Sequence, residues 1–182
     1  MANESLSPAL AALAADPDST TVRKLWKALG ADERAEAISA SFADDSNGWV
    51  KSSTRAAVAG ALRFRPQSVA AFPRQKLISE AARLTIDDAA LLSAFLVDFH
   101  LTHRRPMMGQ FLDALGIPND EGRIDSEKTD VPDQDPVRLA QAADALLAGF
   151  SADAVVVYFL TLLLQDATTW GGIRGWLVDQ GR

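Results

Sequence analysis

An all-α fold is predicted by three features of the sequence. Apolar residues recur at helical spacing between Pro, Gly and Asp/Ser punctuation along the whole chain. No two alternating segments are joined by a hairpin turn signal. The stretch from Asp87 to Gly116 is echoed 65 residues later, from Asp153 to Gly181. Each copy reads as a long apolar helix, a break, and a short helix closed by glycine. In ungapped register Asp88 falls on Asp153, Phe95 on Leu160, Phe99 on Leu164, Phe111 on Trp176 and Gly116 on Gly181. Together these predict one domain over residues 1–182, with about ten helices packed as successive αα-hairpins, in a short α-solenoid or an irregular helical bundle.

The elements follow in order. Ser7-Pro8 starts a first helix that stops at Asp16-Pro17, since a proline fits the first helical turn and blocks continuation elsewhere. A second helix puts Val22, Leu25, Trp26 and Leu29 on one face and ends at Gly30. Asp32 is the expected cap of a third, running to about Phe42. A fourth runs from Trp49 to about Phe64, with Val50, Ala57, Ala61 and Phe64 as its buried stripe and Lys51, Arg55 and Arg63 outside. Pro66 and Pro73 bracket an irregular piece, and a further helix reaches Leu84.

Thr85-Ile86-Asp87-Asp88 has the form of a capping box. The helix behind it is apolar nearly all round, with Ser93, His100 and Arg104 as a narrow polar strip. Pro106 ends it and begins the next, which Gly116 stops. Residues 117–135 form a long acidic loop with seven acids against Arg123 and Lys128, its turn at Gly122. Ile117, Ile124 and Val131 are its expected anchors to the core, and the basic stretch before residue 84 is a surface it can mask. Asp135-Pro136 caps a helix to about Phe150, Ser151 opens an apolar one, and Trp170-Gly171-Gly172 breaks it before a last short helix. Val155–Phe159 has strand propensity, but its length and its match to the central helix favour helix. The expected core includes Phe95, Phe99, Phe111, Leu160, Leu164 and Trp176.

Composition limits the function classes. The chain of 182 residues has no cysteine, which excludes disulfides, thiolate zinc sites and a cysteine nucleophile, and fits a reducing cytoplasm as the expected location. Its start lacks a basic leader and reads as a capped helix rather than a signal peptide. The apolar run Ala154–Leu164 is too short to cross a bilayer, so no membrane partner is expected. Net charge is −6, unevenly placed: residues 1–84 hold 11 Lys/Arg against 9 Asp/Glu, and residues 85–182 hold 7 against 15. An acidic chain repels nucleic acid at long range, so nucleic acid is disfavoured as a partner.

Motifs for chemistry are sparse. Gly171-Gly172-Ile173-Arg174-Gly175 lacks the lysine and preceding strand of a phosphate loop and reads as a helix break. A calcium loop centred on Gly122 would place Ile117 and Lys128 at ligand positions, which excludes it. No Gly-x-Ser-x-Gly is present. His100 and His103 are the only histidines, and their spacing can present two imidazoles to one metal. A third ligand would have to come from elsewhere, such as the acidic loop; the plainer reading puts His103, Arg104 and Arg105 in a last helical turn facing the helix dipole. No catalytic residue, metal or cofactor is therefore assigned.

The basic stretch carries more weight. Residues 51–83 hold Lys51, Arg55, Arg63, Arg65, Arg74, Lys76 and Arg83 against Glu80 alone. A solvated basic face is the commoner reading of such a run, and an acidic or phosphate-bearing partner the functional one. The leading expectation is a non-catalytic helical interaction or adaptor module with a protein partner. Its candidate binding residues are Lys51, Arg55, Arg63, Arg65, His100, His103 and Arg104. The alternatives are an enzyme or ligand- or metal-binding protein with a site near His100, His103 and Arg104, and nucleic-acid or phosphate binding through residues 51–76.

Overall fold

The chain is all-α. A computed structural model describes residues 6–43, 48–125, 131 and 134–182, and among them eleven α-helices and two short 3-10 turns occur, with no strand longer than an isolated bridge. The helices are α1 (Pro8–Ala15), α2 (Val22–Ala28), α3 (Ala31–Ser41), α4 (Gly48–Leu62), α5 (Pro66–Ala70), α6 (Arg74–Arg83), α7 (Ala89–His103), α8 (Arg105–Leu115), α9 (Pro136–Leu146), α10 (Ala152–Gln165) and α11 (Arg174–Gln180). They divide into two compact units: Met1–Ala28 with His103–Arg182, and Leu29–Thr102.

In the first unit the apolar helix α10 is buried on nearly every side, from Ala154 through Thr161. Ser151 starts it by accepting from the Ala154 amide, and Asp153 in its first turn accepts the Ser7 amide at 2.8 Å. Phe111 of α8 sits among Phe159, Tyr158 and Trp170, with ring centroids 4.9, 5.8 and 5.9 Å away. Trp176 of α11 meets Phe159 edge-on at 5.2 Å and donates its indole N–H to Asp144 of α9 at 2.7 Å. One aromatic cluster therefore joins α8, α10 and α11. Burial pushes the Tyr158 phenol far above its usual value, because no charge is tolerated there.

The ends of this unit are closed by side-chain caps. The Asp166 carboxylate accepts from the Thr169 hydroxyl at 2.6 Å and from the Thr169 and Thr168 amides, and these bonds hold its pKa below the usual range. Asp135 accepts the Val137 amide at the start of α9. α1 packs on α2, α10 and α11, so the first helix of the chain meets the last. The contact is backbone to backbone: a Cβ on Gly181 would strike the amide of Ala15 and come within 2.7 Å of the Ala11 carbonyl oxygen.

In the second unit α6 packs on α3 and α4, and α5 closes against α4. Neighbours in space are thus often not neighbours in sequence, which is the pattern of an irregular bundle. Arg74, inside the basic stretch, donates to the Ser39 carbonyl at 3.1 Å and ties α6 to α3. α7 buries Leu91, Leu92, Phe95, Leu96, Phe99 and His100, a stripe repeating every fourth residue.

Several local expectations change. Asp32 lies in the first turn of α3, whose N-cap is Gly30, with the Glu33 carboxylate accepting the Gly30 amide. Asp88 rather than Thr85 caps α7, by accepting the Leu91 amide at 3.1 Å. Pro66 opens a short helix instead of an irregular piece, since proline suits a first helical turn. The buried stripe of α4 is Val50, Thr54, Val58 and Ala59, while Ala61 and Phe64 are exposed. Thr54 is tolerated there because its hydroxyl donates to the Val50 carbonyl at 2.7 Å. Leu164 is half-buried and Leu163 takes the core position; Phe95, Phe99, Phe111, Leu160 and Trp176 are buried as expected. Both echoed stretches consist of a long helix, a break and a short helix, yet α7 and α8 fall in different units while α10 and α11 share one.

Candidate functional site

The corner where α4 ends and α5 and α6 begin carries the clearest surface feature. The last turn of α4 closes by two bonds: the Phe64 amide donates to the Ala59 carbonyl at 2.9 Å and the Arg63 amide to Gly60 at 3.2 Å. That pair is a Schellman closure, which wants a left-handed residue at the position Arg63 holds, normally glycine. Arg63 adopts it with φ 54. A left-handed backbone on a non-glycine residue costs about 1–2 kcal/mol.

The closure turns the next residue outward. Phe64 is 50% exposed, one of three large apolar side chains among the described residues that stand so far into solvent. Its ring meets the half-buried Phe72 edge-on, centroids 6.3 Å apart. Lys76 of α6 lays its ammonium 4.2 Å over the Phe72 ring. Arg63 and Arg65 flank Phe64 in sequence, and both are exposed. Two aromatic rings thus stand together with one lysine over Phe72 and an exposed arginine on each side of Phe64 in sequence.

The basic stretch sorts into distinct roles. Arg74 is structural, Lys76 caps Phe72, and Arg83 occupies the last turn of α6, where a cation complements the helix dipole. Lys51 is half-buried on α4. Arg55, Arg63 and Arg65 are exposed, and among the described residues none of them makes an ion pair. Sequence reasoning reached Arg63 and Arg65 but assigned Phe64 to the core, because it extended the helical arc of α4 two residues past its end at Leu62.

Neither the polar strip of Ser93, His100 and Arg104 nor a site at the histidine pair is formed by exposed side chains alone, since His100 is buried. His100 belongs to the apolar face of α7, 3% exposed, its ring tilted against Phe99 at 5.6 Å. His103 is exposed at the end of α7, and Arg104 is half-buried at the break. Among the described residues no three His, Asp or Glu converge as metal ligands. The part of the acidic loop at 126–130 and 132–133, considered as a source of a third ligand, lies outside the described residues.

The described start of that loop is built onto α8. Asp120 and Arg123 exchange backbone hydrogen bonds, and Glu121 and Gly122 between them both have positive φ, as a type I′ turn requires. Asn119 accepts the Gly122 amide at 2.9 Å and donates to Asp113 at 2.9 Å, while Arg105 pairs with Glu121 at 3.4 Å. Of the expected anchors Ile117 is buried, and Ile124 and Val131 are half-buried. A shallow cleft of about 580 Å³ runs beside this turn, lined by Arg105, Pro106, Gly109, Gln110, Asp113 and Glu121. Its polar side chains already have partners: Arg105 bonds to Glu121, Gln110 donates to the Ala145 carbonyl, and Asp113 accepts from Asn119. No described helix is long and apolar enough to cross a membrane. Comparison with family models, with curated proteins and with solved structures finds no match to this chain.

Proposed function

We propose that this protein is a non-catalytic helical interaction module that binds another protein through the corner formed by α4, α5 and α6. The observation that carries this reading is Phe64, half exposed beside Phe72, with the exposed Arg63 and Arg65 as its sequence neighbours and Lys76 over the Phe72 ring. Fully burying such a side chain is worth about 1.5–3 kcal/mol, and half of that surface is still in water here. A partner that covers it gains what the fold leaves unused. The left-handed Arg63 supports the same reading, since a cation is kept where glycine would relieve strain. Arginine and aromatic side chains are also the residue types that anchor protein interfaces. A site at His100, His103 and Arg104 has less support, because His100 is on the buried face of α7.

Photocrosslinking tests the reading. Phe64 is replaced by p-benzoylphenylalanine in cells that express the protein, with Val137, 63% exposed in the first unit, as the control position. Residue 64 is expected to capture a defined protein that residue 137 does not, and Arg63→Glu with Arg65→Glu should abolish the adduct. The purified partner should bind Phe64→Ala at least about tenfold more weakly than wild type, a difference of about 1.4 kcal/mol. Nucleic-acid adducts alone, or the same adducts from both positions, would refute it.

A further inference from the structure

Building on the proposed interface, we infer that its partner presents an acidic segment with a single apolar or aromatic anchor, seated against Phe64 between Arg63 and Arg65. Charge complementarity is the first argument. Residues 51–83 hold seven Lys/Arg against one acid, in a chain of net charge −6. Arg55, Arg63 and Arg65 are exposed, and among the described residues they have no ion-pair partner. Carboxylates are the protein groups that arginine binds by paired hydrogen bonds.

Ring geometry supplies the second argument and separates a peptide from a nucleic acid. Single strands are held by flat aromatic platforms on which successive bases stack. Here the two rings stand at 90° to each other, and Lys76 covers a face of Phe72. Of the two rings Phe64 is the exposed one, and Phe72 is half-buried. That matches one inserted apolar residue and gives no run of stacked bases. The protein's overall negative charge adds long-range repulsion against a polyanion, whereas a short acidic segment meets only the local cations.

Fluorescence anisotropy on the full chain tests this with labelled ten-residue peptides of Asp, Glu and Ser. One set carries a central Phe or Leu, a second carries Ser there, and a ten-nucleotide thymidine strand is the third probe. The anchored acidic peptides should bind at least about tenfold more tightly than the Ser peptides and the oligonucleotide. Phe64→Ala should remove the advantage of the anchor, and Arg63→Glu with Arg65→Glu should weaken binding and reduce its salt dependence. The inference is overturned if the oligonucleotide binds best, if the Ser peptides bind equally, or if Phe64→Ala changes nothing. Should residue 64 capture a protein in cells while no acidic peptide binds, the interaction reading stands and this inference falls.

Discussion

Phe111→Ala is expected to lower the unfolding free energy by about 3–5 kcal/mol, the usual loss for a large aromatic side chain removed from a core that cannot collapse around the gap. Phe111 is fully buried and touches Tyr158, Phe159 and Trp170, so three rings lose contacts at once. The neighbours are poorly able to fill the space. Phe159 is held edge-on against Trp176, and Trp176 is fixed by its bond to Asp144. Urea unfolding followed by tryptophan fluorescence reads this region, because Trp26, Trp170 and Trp176 of the four tryptophans lie in the first unit. A loss below about 1 kcal/mol would show that the cluster does not organise that unit.

Gly122→Ala is expected to detach the turn at 120–123 from α8. A Cβ there would lie 2.6 Å from the Met108 Cβ and 2.9 Å from the Arg105 carbonyl oxygen, and neither is a flexible side-chain end. Backbone geometry adds to the collision, since φ is +85. Left-handed strain costs about 1–2 kcal/mol and overpacking about 1–3 kcal/mol, so keeping the turn docked would cost about 2 kcal/mol or more. Releasing it avoids that strain but gives up the Asn119 and Arg105 bonds. Limited trypsin digestion distinguishes the states: Arg123 should be cut slowly in wild type and at least about tenfold faster in the variant. Unchanged cleavage together with unchanged stability would contradict the docked turn.

Much of this architecture is legible in the sequence because its signals are local. Ser7-Pro8 and Asp16-Pro17 bound α1, and Asp135 and Ser151 cap the helices they precede. The turn at Gly122 is readable too, since glycine supplies its positive φ. What escaped depends on neighbours. Thr54 sits in the core because a backbone carbonyl satisfies its hydroxyl, and periodicity counts it as polar. His100 lies on an apolar face for which helical plotting offered a polar strip. Arg74 reads as one more surface charge until the Ser39 carbonyl is beside it.

The candidate site shows the same limit most sharply. A helix end signalled by glycine is easy to see, but α4 ends at an arginine in glycine's conformation. The sequence therefore extends the helix to Phe64 and buries a ring that the closure turns outward. Arg63 and Arg65 are visible as charges, while the exposed aromatic between them is visible only in the structure.

Arg63→Gly is the measurement that bears most directly on the binding surface. Glycine removes the left-handed strain while leaving Phe64, Phe72 and Lys76 in place, so stability and recognition can be read on one preparation. If Arg63 is kept for binding, the variant should gain about 1 kcal/mol in chemical unfolding and bind the purified partner several-fold more weakly. A variant that gains the stability and binds its partner as tightly as wild type would contradict the account.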